Sequence, residues 1–530
     1  MFFTSYEFIG FLILLLVLYY ILPKKWQWML LLAASYLFYF AADPRFIGYL
    51  LAVTVLTYTA ARILDANFVR QRAYLQEHKE TLGREEKKTY KNAQKKVRLR
   101  WFVPFLILVL GILAVTKYTN FLIANLNGIR SALGLATQIS FVKLILPLGI
   151  SFYTFQAVGY LIDVYRENVP AEKNFFRYAL FISFFPQLIQ GPISRFGDLS
   201  QTLWGEHEFC WSNVRDGLFR VLWGYFKKLV VADRILAAVS LILGSPETYH
   251  GAYIAVVLLF YTIELYADFT GGIDITIGIA QMLGIRVQEN FMRPYFSTSL
   301  KEYWRRWHIS MCNWFRDYVF YPVSVSKAMQ RISKAAKAHL GERAGRRLPV
   351  YLSSFLVWLA TGIWHGASWN FVVWGLLNWA VLMISEELEP LYQRFHNRFS
   401  VGQRWGYRLF QMGRTFVLIC VLNLFDCYEA VSTTVRMLLS VFGAQNWGIL
   451  TDGSMLSLGL TMSDYGVLLV GILIMLTVSI LQCTGSVREK IARLHYPLRM
   501  TIWLGLCLMI LLWGCYGVGY DANQFIYNQF

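Results

Sequence analysis

Long apolar blocks separated by short polar stretches run along almost the whole chain. The clearest are Phe8–Leu22, Trp26–Ala42, Phe46–Leu64, Trp101–Tyr118, Tyr253–Tyr266, Val350–Trp364, Trp369–Ser385, Phe410–Leu424, Tyr465–Leu481 and Leu498–Val518. Blocks of this length and apolarity predict helices that cross a membrane, because a helix satisfies its own backbone donors and acceptors in hydrocarbon. Two further blocks are interrupted. Ile145–Gln156 carries Pro147, Gly149 and hydroxyl side chains, and Phe181–Ile193 carries Pro186, Gln187, Gln190, Gly191 and Pro192. Irregular backbone survives at membrane depth only where protein or a water-filled cavity satisfies it. The two together predict broken or re-entrant segments around a cavity, although a simple kink accounts for either alone.

Two segments carry a mixed pattern. Leu218–Leu243 contains Lys227-Lys228 and Asp233-Arg234 and is expected to dip into the interface or to end a span there. Glu302–Tyr318 repeats Trp304, Trp307, His308, Met311, Trp314, Phe315 and Tyr318 at helical spacing, with Arg305, Arg306, Arg316 and Asp317 on the other faces. That predicts an amphipathic helix lying in the membrane interface, with His308 at its apolar edge. The whole pattern predicts an all-α polytopic membrane protein of about 11 to 13 membrane segments, re-entrant ones included.

Composition sharpens this picture. Of 530 residues, 56% are hydrophobic and 15% charged, against about 25% charged in a soluble domain. The net charge of +18 could suggest nucleic acid, but the basic residues cluster in loops between apolar blocks, where a membrane protein keeps them on its cytoplasmic side. No nucleic-acid-binding motif accompanies them. Lys24-Lys25, the basic stretch Asn67–Arg100, Lys327–Arg347, Arg394–Arg414 and the loop with Arg488, Lys490, Arg493 and Arg499 are therefore expected inside, and both termini outside. Phe8–Leu22 lacks the basic start and small-residue cleavage site of a signal peptide and is expected to be an anchor. None of the seven cysteines forms a C-x-x-C pair, so neither a disulfide framework nor a metal site is expected. No linker divides the chain. It is expected to be one domain, with N-terminal spans over 1–64, a basic loop over 65–100, a core over 145–379, C-terminal spans over 380–518 and a tail over 519–530.

Candidate chemistry centres on Gly362-Ile363-Trp364-His365-Gly366-Ala367. His365 is the one histidine deep in a long, nearly uncharged apolar run. An ionisable residue at membrane depth is costly and marks a candidate functional site, while a lone buried histidine bonded to a carbonyl is the alternative. A neutral histidine can take a proton from an attacking hydroxyl. The resulting oxyanion needs donors, for which the indoles of Trp364 and Trp369 and the loop amides are candidates. The run of ~15 residues before the motif rises ~22 Å against a hydrocarbon core of ~30 Å, which predicts a buried tip. Asp268 and Asp274 pair two carboxylates, suited to acid–base work or, more commonly, to capping, with Asp274 expected to start the helix through Ile279.

Six stretches in order carry a resemblance: Leu146–Gln156, Phe185–Ile193, Asp268-Phe269-Thr270-Gly271, Glu289-Asn290-Phe291 with Pro294-Tyr295, Trp304–Ser310 and Trp364–Ala367. The chain resembles the membrane-bound O-acyltransferases, in particular their bacterial alginate O-acetyltransferase-like branch. The resemblance implies a tunnel or funnel through a helical domain, and acyl transfer from a cytoplasmic thioester, here acetyl-CoA, to an extracytoplasmic polysaccharide hydroxyl. It implies His365 as the catalytic histidine and His308 as a second one on the donor side, catalytic or supporting. Trp304, Arg305 and Arg306 become candidates for donor binding, although Arg305 and Arg306 suit lipid headgroups equally. The C-terminal Phe525-Ile526-Tyr527-Asn528-Gln529-Phe530 resembles a terminal motif of this branch in which Tyr527 would carry the acyl group. An SGNH-hydrolase-like partner outside the membrane is the implied recipient. D-alanyl transfer from a carrier protein to teichoic acid is the nearest enzyme alternative, and a membrane transporter the alternative of another class.

Overall fold

The computed structural model describes residues 2–135, 137–402, 404–517 and 520–521. The described residues form helices and connecting loops, with no strand among them. The chain divides into two compact units, Met1–Val214 with Ala280–Val287, and Arg215–Ile279 with Gln288–Phe530.

The first unit contains α1 (Tyr6–Ile21), α2 (Gln27–Ala42), α3 (Phe46–Glu77), α4 (Arg84–Ala132), α5 (Ile150–Tyr165), α6 (Phe175–Ser183), α7 (Phe185–Leu188) and α8 (Phe196–Leu203). Ser5 starts α1 by accepting a hydrogen bond from the Phe8 amide. The basic stretch folds as helix. It is the end of α3 and the start of α4, whose 49 residues span ~74 Å, more than twice the hydrocarbon thickness. Arg98 ties the two together. It is buried, donates to Asn67 Oδ1 and Gln71 Oε1 at 2.9 Å each, and lies 4.0 Å above the Phe68 ring.

Both interrupted blocks are broken in the structure. Residues 137–147 are not helical, and Gly149 (φ 72°) turns the chain into α5. A Cβ at Gly149 would collide with the Leu188 carbonyl oxygen of the other broken segment, so only glycine fits there. Helix α6 stops at Ser183, α7 lasts one turn, and the chain then runs irregularly to Arg195. Protein groups satisfy the freed backbone. The Tyr39 hydroxyl donates to the Leu148 carbonyl at 2.8 Å, and the Gln156 amide to the Phe181 carbonyl at 2.8 Å.

The second unit begins with α9 (Trp211–Tyr225), whose first turn precedes it, then a π-helical turn over Phe226–Ala232 and α10 (Asp233–Gly244). Next come α11 (Ala252–Met282), α12 (Leu300–Arg306), α13 (Ile309–Phe315), α14 (Tyr321–Ser324), α15 (Lys327–Leu340), α16 (Glu342–His365), α17 (Trp369–Phe399), α18 (Trp405–Asn423), α19 (Val431–Phe442), α20 (Met462–Leu481), α21 (Val487–Ala492) and α22 (Tyr496–Trp513). Helices α9 and α11 meet through glycines. A Cβ on Gly224 would lie 2.6 Å from the Gly271 carbonyl oxygen, and one on Gly278 2.6 Å from that of Gly217. Two such contacts, two turns apart, let the backbones approach closely.

Leu218–Leu243 turns its two lysines and Asp233 into the protein. They are buried and paired: Lys227 with Asp274 at 2.6 Å, and Lys228 with Asp268 at 2.5 Å and Asp233 at 2.7 Å. Asp274 starts no helix, because α11 runs unbroken from Ala252 to Met282 and the acid instead faces Arg220 and Lys227. Glu302–Tyr318 is not one amphipathic helix, because His308 adopts a left-handed conformation that splits it into α12 and α13.

Among the described residues, eight helices are long and apolar enough to cross a membrane. Helices α1 and α2 are shorter, at 16 residues each, and the π-helical turn interrupts the α9–α10 run. The protein is an all-α multi-pass membrane protein.

Candidate active site

His308 is built into the turn between α12 and α13. The Trp307 amide bonds back to the Tyr303 carbonyl at 2.8 Å, and the Cys312 amide to the His308 carbonyl at 3.1 Å. Between these bonds His308 has φ 45° and ψ 53°. A non-glycine residue held there is costly and persists only where its surroundings over-determine it. Asn290 does this. Its backbone carbonyl accepts the Ile309 amide at 3.0 Å, and its side-chain Oδ1 accepts the Ser310 amide at 2.9 Å. That fixes which way the amide points, so Asn290 Nδ2 faces His308 Nδ1 at 3.3 Å. Nδ1 is then an acceptor, and neutral His308 carries its proton on Nε2.

His308 and Asn290 are both fully buried. The Phe269 ring stands edge-on to the imidazole at 4.9 Å, with Phe291 at 6.5 Å. Burial lowers the His308 pKa to about 3, so the ring is neutral at physiological pH.

His365 ends α16 at the tip of the α16–α17 hairpin. Close backbone packing sets the tip. A Cβ on Gly362 would meet the Phe371 carbonyl, one on Gly375 the Trp358 carbonyl, and one on Gly366 the Phe371 ring. These glycines draw the two helices together around Phe371. His365 is half-buried. Its ring lies 4.6 Å from Trp374 and stacks on Phe371 at 6.3 Å.

Trp364 joins the two histidines. Its indole is 6.0 Å from the His308 ring and 5.0 Å from the His365 ring. Two imidazoles 57 residues apart in sequence thus share one buried tryptophan.

Comparison with known proteins gives the family. Residues 169–336 match the family described as MBOAT, membrane-bound O-acyltransferase. Over 380 residues the chain is 35% identical to the protein named probable alginate O-acetylase AlgI from Azotobacter vinelandii, covering 71% of this chain and 67% of that one. The chain belongs to the membrane-bound O-acyltransferase family. It is also 31% identical over 334 residues to the peptidoglycan O-acetyltransferase of Helicobacter pylori, covering 58% of this chain and 59% of that one. With the teichoic acid D-alanyltransferase of Bacillus subtilis it shares 29% identity over 248 residues, covering 46% and 59%. It is an O-acyltransferase.

In this membrane-bound O-acyltransferase the other candidate residues fall as follows. Trp304 joins the His365 side. It packs on Trp358 at 5.0 Å and on Trp374 at 5.6 Å, and donates its indole N–H to Asn378 Oδ1 at 3.1 Å. Arg306 is committed to Glu302 at 2.5 Å, whereas Arg305 is exposed. Tyr527 lies outside the described residues. The tail is tied down at its root, where the Tyr520 hydroxyl donates to Asp233 Oδ2 at 2.9 Å.

Sequence reasoning gave no role to Asn290 and passed over Trp374. Asn290 was visible as part of the Glu289-Asn290-Phe291 stretch. Trp374 follows Trp364 and Trp369 in the same hairpin, and its indole N–H is buried without a hydrogen-bond partner among the described residues. Trp369, one of the oxyanion donors expected from sequence, is more than half exposed.

Proposed function

We propose that this O-acyltransferase moves an acetyl group from cytoplasmic acetyl-CoA to hydroxyls of an extracellular or cell-wall polysaccharide, with His365 as general base. The observation that supports this most is the Trp364 bridge, which links a buried neutral histidine to a half-buried one at the tip of a hairpin. The acceptor hydroxyl attacks the thioester carbonyl while His365 takes its proton. The C–O bond forms, the C–S bond breaks, and the proton passes from the imidazole to the departing thiolate. Trp374, with its buried unpaired N–H beside His365, is the donor best suited to the oxyanion. His308 stays neutral and orients the donor side. Arg305, exposed where Arg306 is already paired, meets the donor's phosphates, and Trp304 holds the wall between them.

Tyr527 is the intermediate acceptor in this reading. A phenol of pKa about 10 is close to a thiol of about 8.5, so an aryl ester keeps most of the thioester's transfer potential. Seven residues beyond the anchored Tyr520, Tyr527 reaches up to ~24 Å from it. An SGNH-hydrolase-like partner then takes the acetyl group to the polymer. In this reading the N- and C-termini face the extracytoplasmic side of a bacterial cytoplasmic membrane, which the distribution of basic loops supports. D-alanyl transfer is the second reading, favoured by the likeness to the Bacillus subtilis teichoic acid enzyme.

The test is acetyl and D-alanyl ester on the extracellular polymer in wild type, His365→Ala and Tyr527→Phe strains at equal membrane abundance. Loss of acetyl ester in both variants is expected. Loss only in His365→Ala removes the relay, and unchanged acetyl ester in both overturns the acetyl-transfer reading.

A further inference from the structure

A cavity of about 520 Å³ lies within the second unit, bounded by α9, α11, α20, α21 and α22, and none of His308, Trp364 and His365 lines it. Its walls divide by chemistry. Arg220, Lys227, Arg293 and Arg488 gather near where α20 ends and α21 begins, and Ile474, Met475, Leu506 and Met509 continue the lining along α20 and α22. The cations outnumber the acids. Arg220 is bidentate to Glu289 at 2.7 and 2.5 Å and also bonds Asp274 at 2.7 Å, while Lys227 shares Asp274 at 2.6 Å. Arg488 reaches only 3.6 Å from Glu289, and Arg293 donates to the Cys483 sulfur. Among the lining residues four cations therefore face two carboxylates; Asp216, outside the lining, also acts on Arg488 and is itself paired with Arg215. Uncompensated positive charge beside an apolar wall is costly, and an anion relieves it. Burial, and after it the neighbouring Arg220 charge, hold the Arg488 guanidinium below its ordinary range.

The apolar walls say where that anion comes from. Of the 18 residues of α22 only Leu506 and Ile510 are buried, and α20 buries only Leu468, Gly471, Met475 and Ser479. Their outer faces, with Leu469, Val470, Leu473, Leu504, Leu508 and Leu511, are exposed and in a membrane lie against acyl chains. The cavity is thus walled by two helices that already face the bilayer and are only thinly packed on their inner side.

We propose that this cavity holds one anionic phospholipid, its phosphate between Arg293 and Arg488 and one acyl chain along Ile474, Met475, Leu506 and Met509. The basic loop that carries Arg488 assigns it to the cytoplasmic leaflet. The lipid fills the gap between α20, α22 and α11. It also backs Phe291, which lines the cavity and packs on Trp307 at 4.9 Å on the side of His308. This assignment does not depend on which acyl group the enzyme transfers.

The full chain, purified in mild detergent, is titrated with phosphatidylglycerol, phosphatidylethanolamine and coenzyme A, and bound ligand is read by native mass spectrometry and melting temperature. Phosphatidylglycerol is expected to bind and stabilise selectively. Arg488→Gln weakens it roughly tenfold, the equivalent of one charge-assisted hydrogen bond, and Arg488→Lys restores most of it. Leu506→Trp, which fills the apolar end, abolishes retention while the charged end stays intact. Equal retention of phosphatidylglycerol by wild type and Arg488→Gln overturns the proposal, as does no preference over phosphatidylethanolamine. Displacement of phosphatidylglycerol by coenzyme A also overturns it, because the cavity would then belong to the donor. Should Leu506→Trp fail to fold, the Arg488→Gln and Arg488→Lys pair still decides.

Discussion

His308 and His365 lie on either side of one tryptophan, yet their surroundings are opposite in kind. His308 is fully buried, strained in a left-handed turn, and clamped by Asn290 through backbone and side chain. His365 is half-buried at a helix end, flanked by glycines and aromatic faces. A ring fixed in position and held neutral by burial suits orientation. A ring at a helix end, its residue half-buried and its Nε2 enclosed beside the Trp374 N–H, suits proton transfer. Two histidines that share one tryptophan thus sit in different surroundings, and the proposed division of roles between them rests on that difference.

The largest expected effect is at His365. Changing it to Ala should lower acyl transfer by about 10²–10⁴-fold, the usual contribution of a general base, at unchanged membrane abundance. A smaller loss, about 10²-fold, is expected for Trp374→Phe, which keeps an aromatic ring but removes the N–H. It should lower turnover far more than it changes donor KM. Next come His308→Ala and Asn290→Ala. Each should cost roughly tenfold in transfer, with Asn290→Ala also lowering the melting temperature because it removes the Oδ1 that accepts the Ser310 amide and helps hold the strained turn. Equal losses at His308 and His365, both in turnover alone, would erase the contrast.

The smallest effect is on stability against pH. His308 titrates at about 3 when folded and near 6.5 when unfolded. Below pH 6.5 the unfolded chain binds a proton that the folded chain does not. Stability is therefore complete above that pH and declines as pH falls toward 3. His308→Asn should flatten that slope in detergent melting curves, and His365→Asn should leave the His308 part of it in place.

Much of this was legible from the chain. Eight of the ten apolar blocks lie on helices long enough to span, with α1 and α2 shorter, and Pro and Gly inside Ile145–Gln156 and Phe181–Ile193 mark the broken segments. Gly362 and Gly366 stand on either side of His365 in the sequence, and the structure uses both for close packing against Phe371. The His308 turn was hidden because aromatic residues keep helical spacing on both sides of it, so periodicity alone reads through the break. What breaks the helix is Asn290, 18 residues away and visible only in three dimensions. The acids of α11 misled for a related reason. Asp274 reads as a helix start in sequence, but Gly271 packs against α9 within one unbroken helix, and the lysines that neutralise the acids come from the π-helical turn after α9. Trp374 escaped notice because nothing in a tryptophan-rich hairpin marks which indole is left without a partner.

The most direct test reconstitutes the protein in vesicles and follows single-turnover transfer from labelled acetyl-CoA, with donor affinity measured in parallel, for wild type, His365→Ala and His308→Ala. The account predicts that His365→Ala loses transfer while binding donor normally, and that His308→Ala transfers slowly and binds donor less well. Transfer by His365→Ala at the wild-type rate would contradict it.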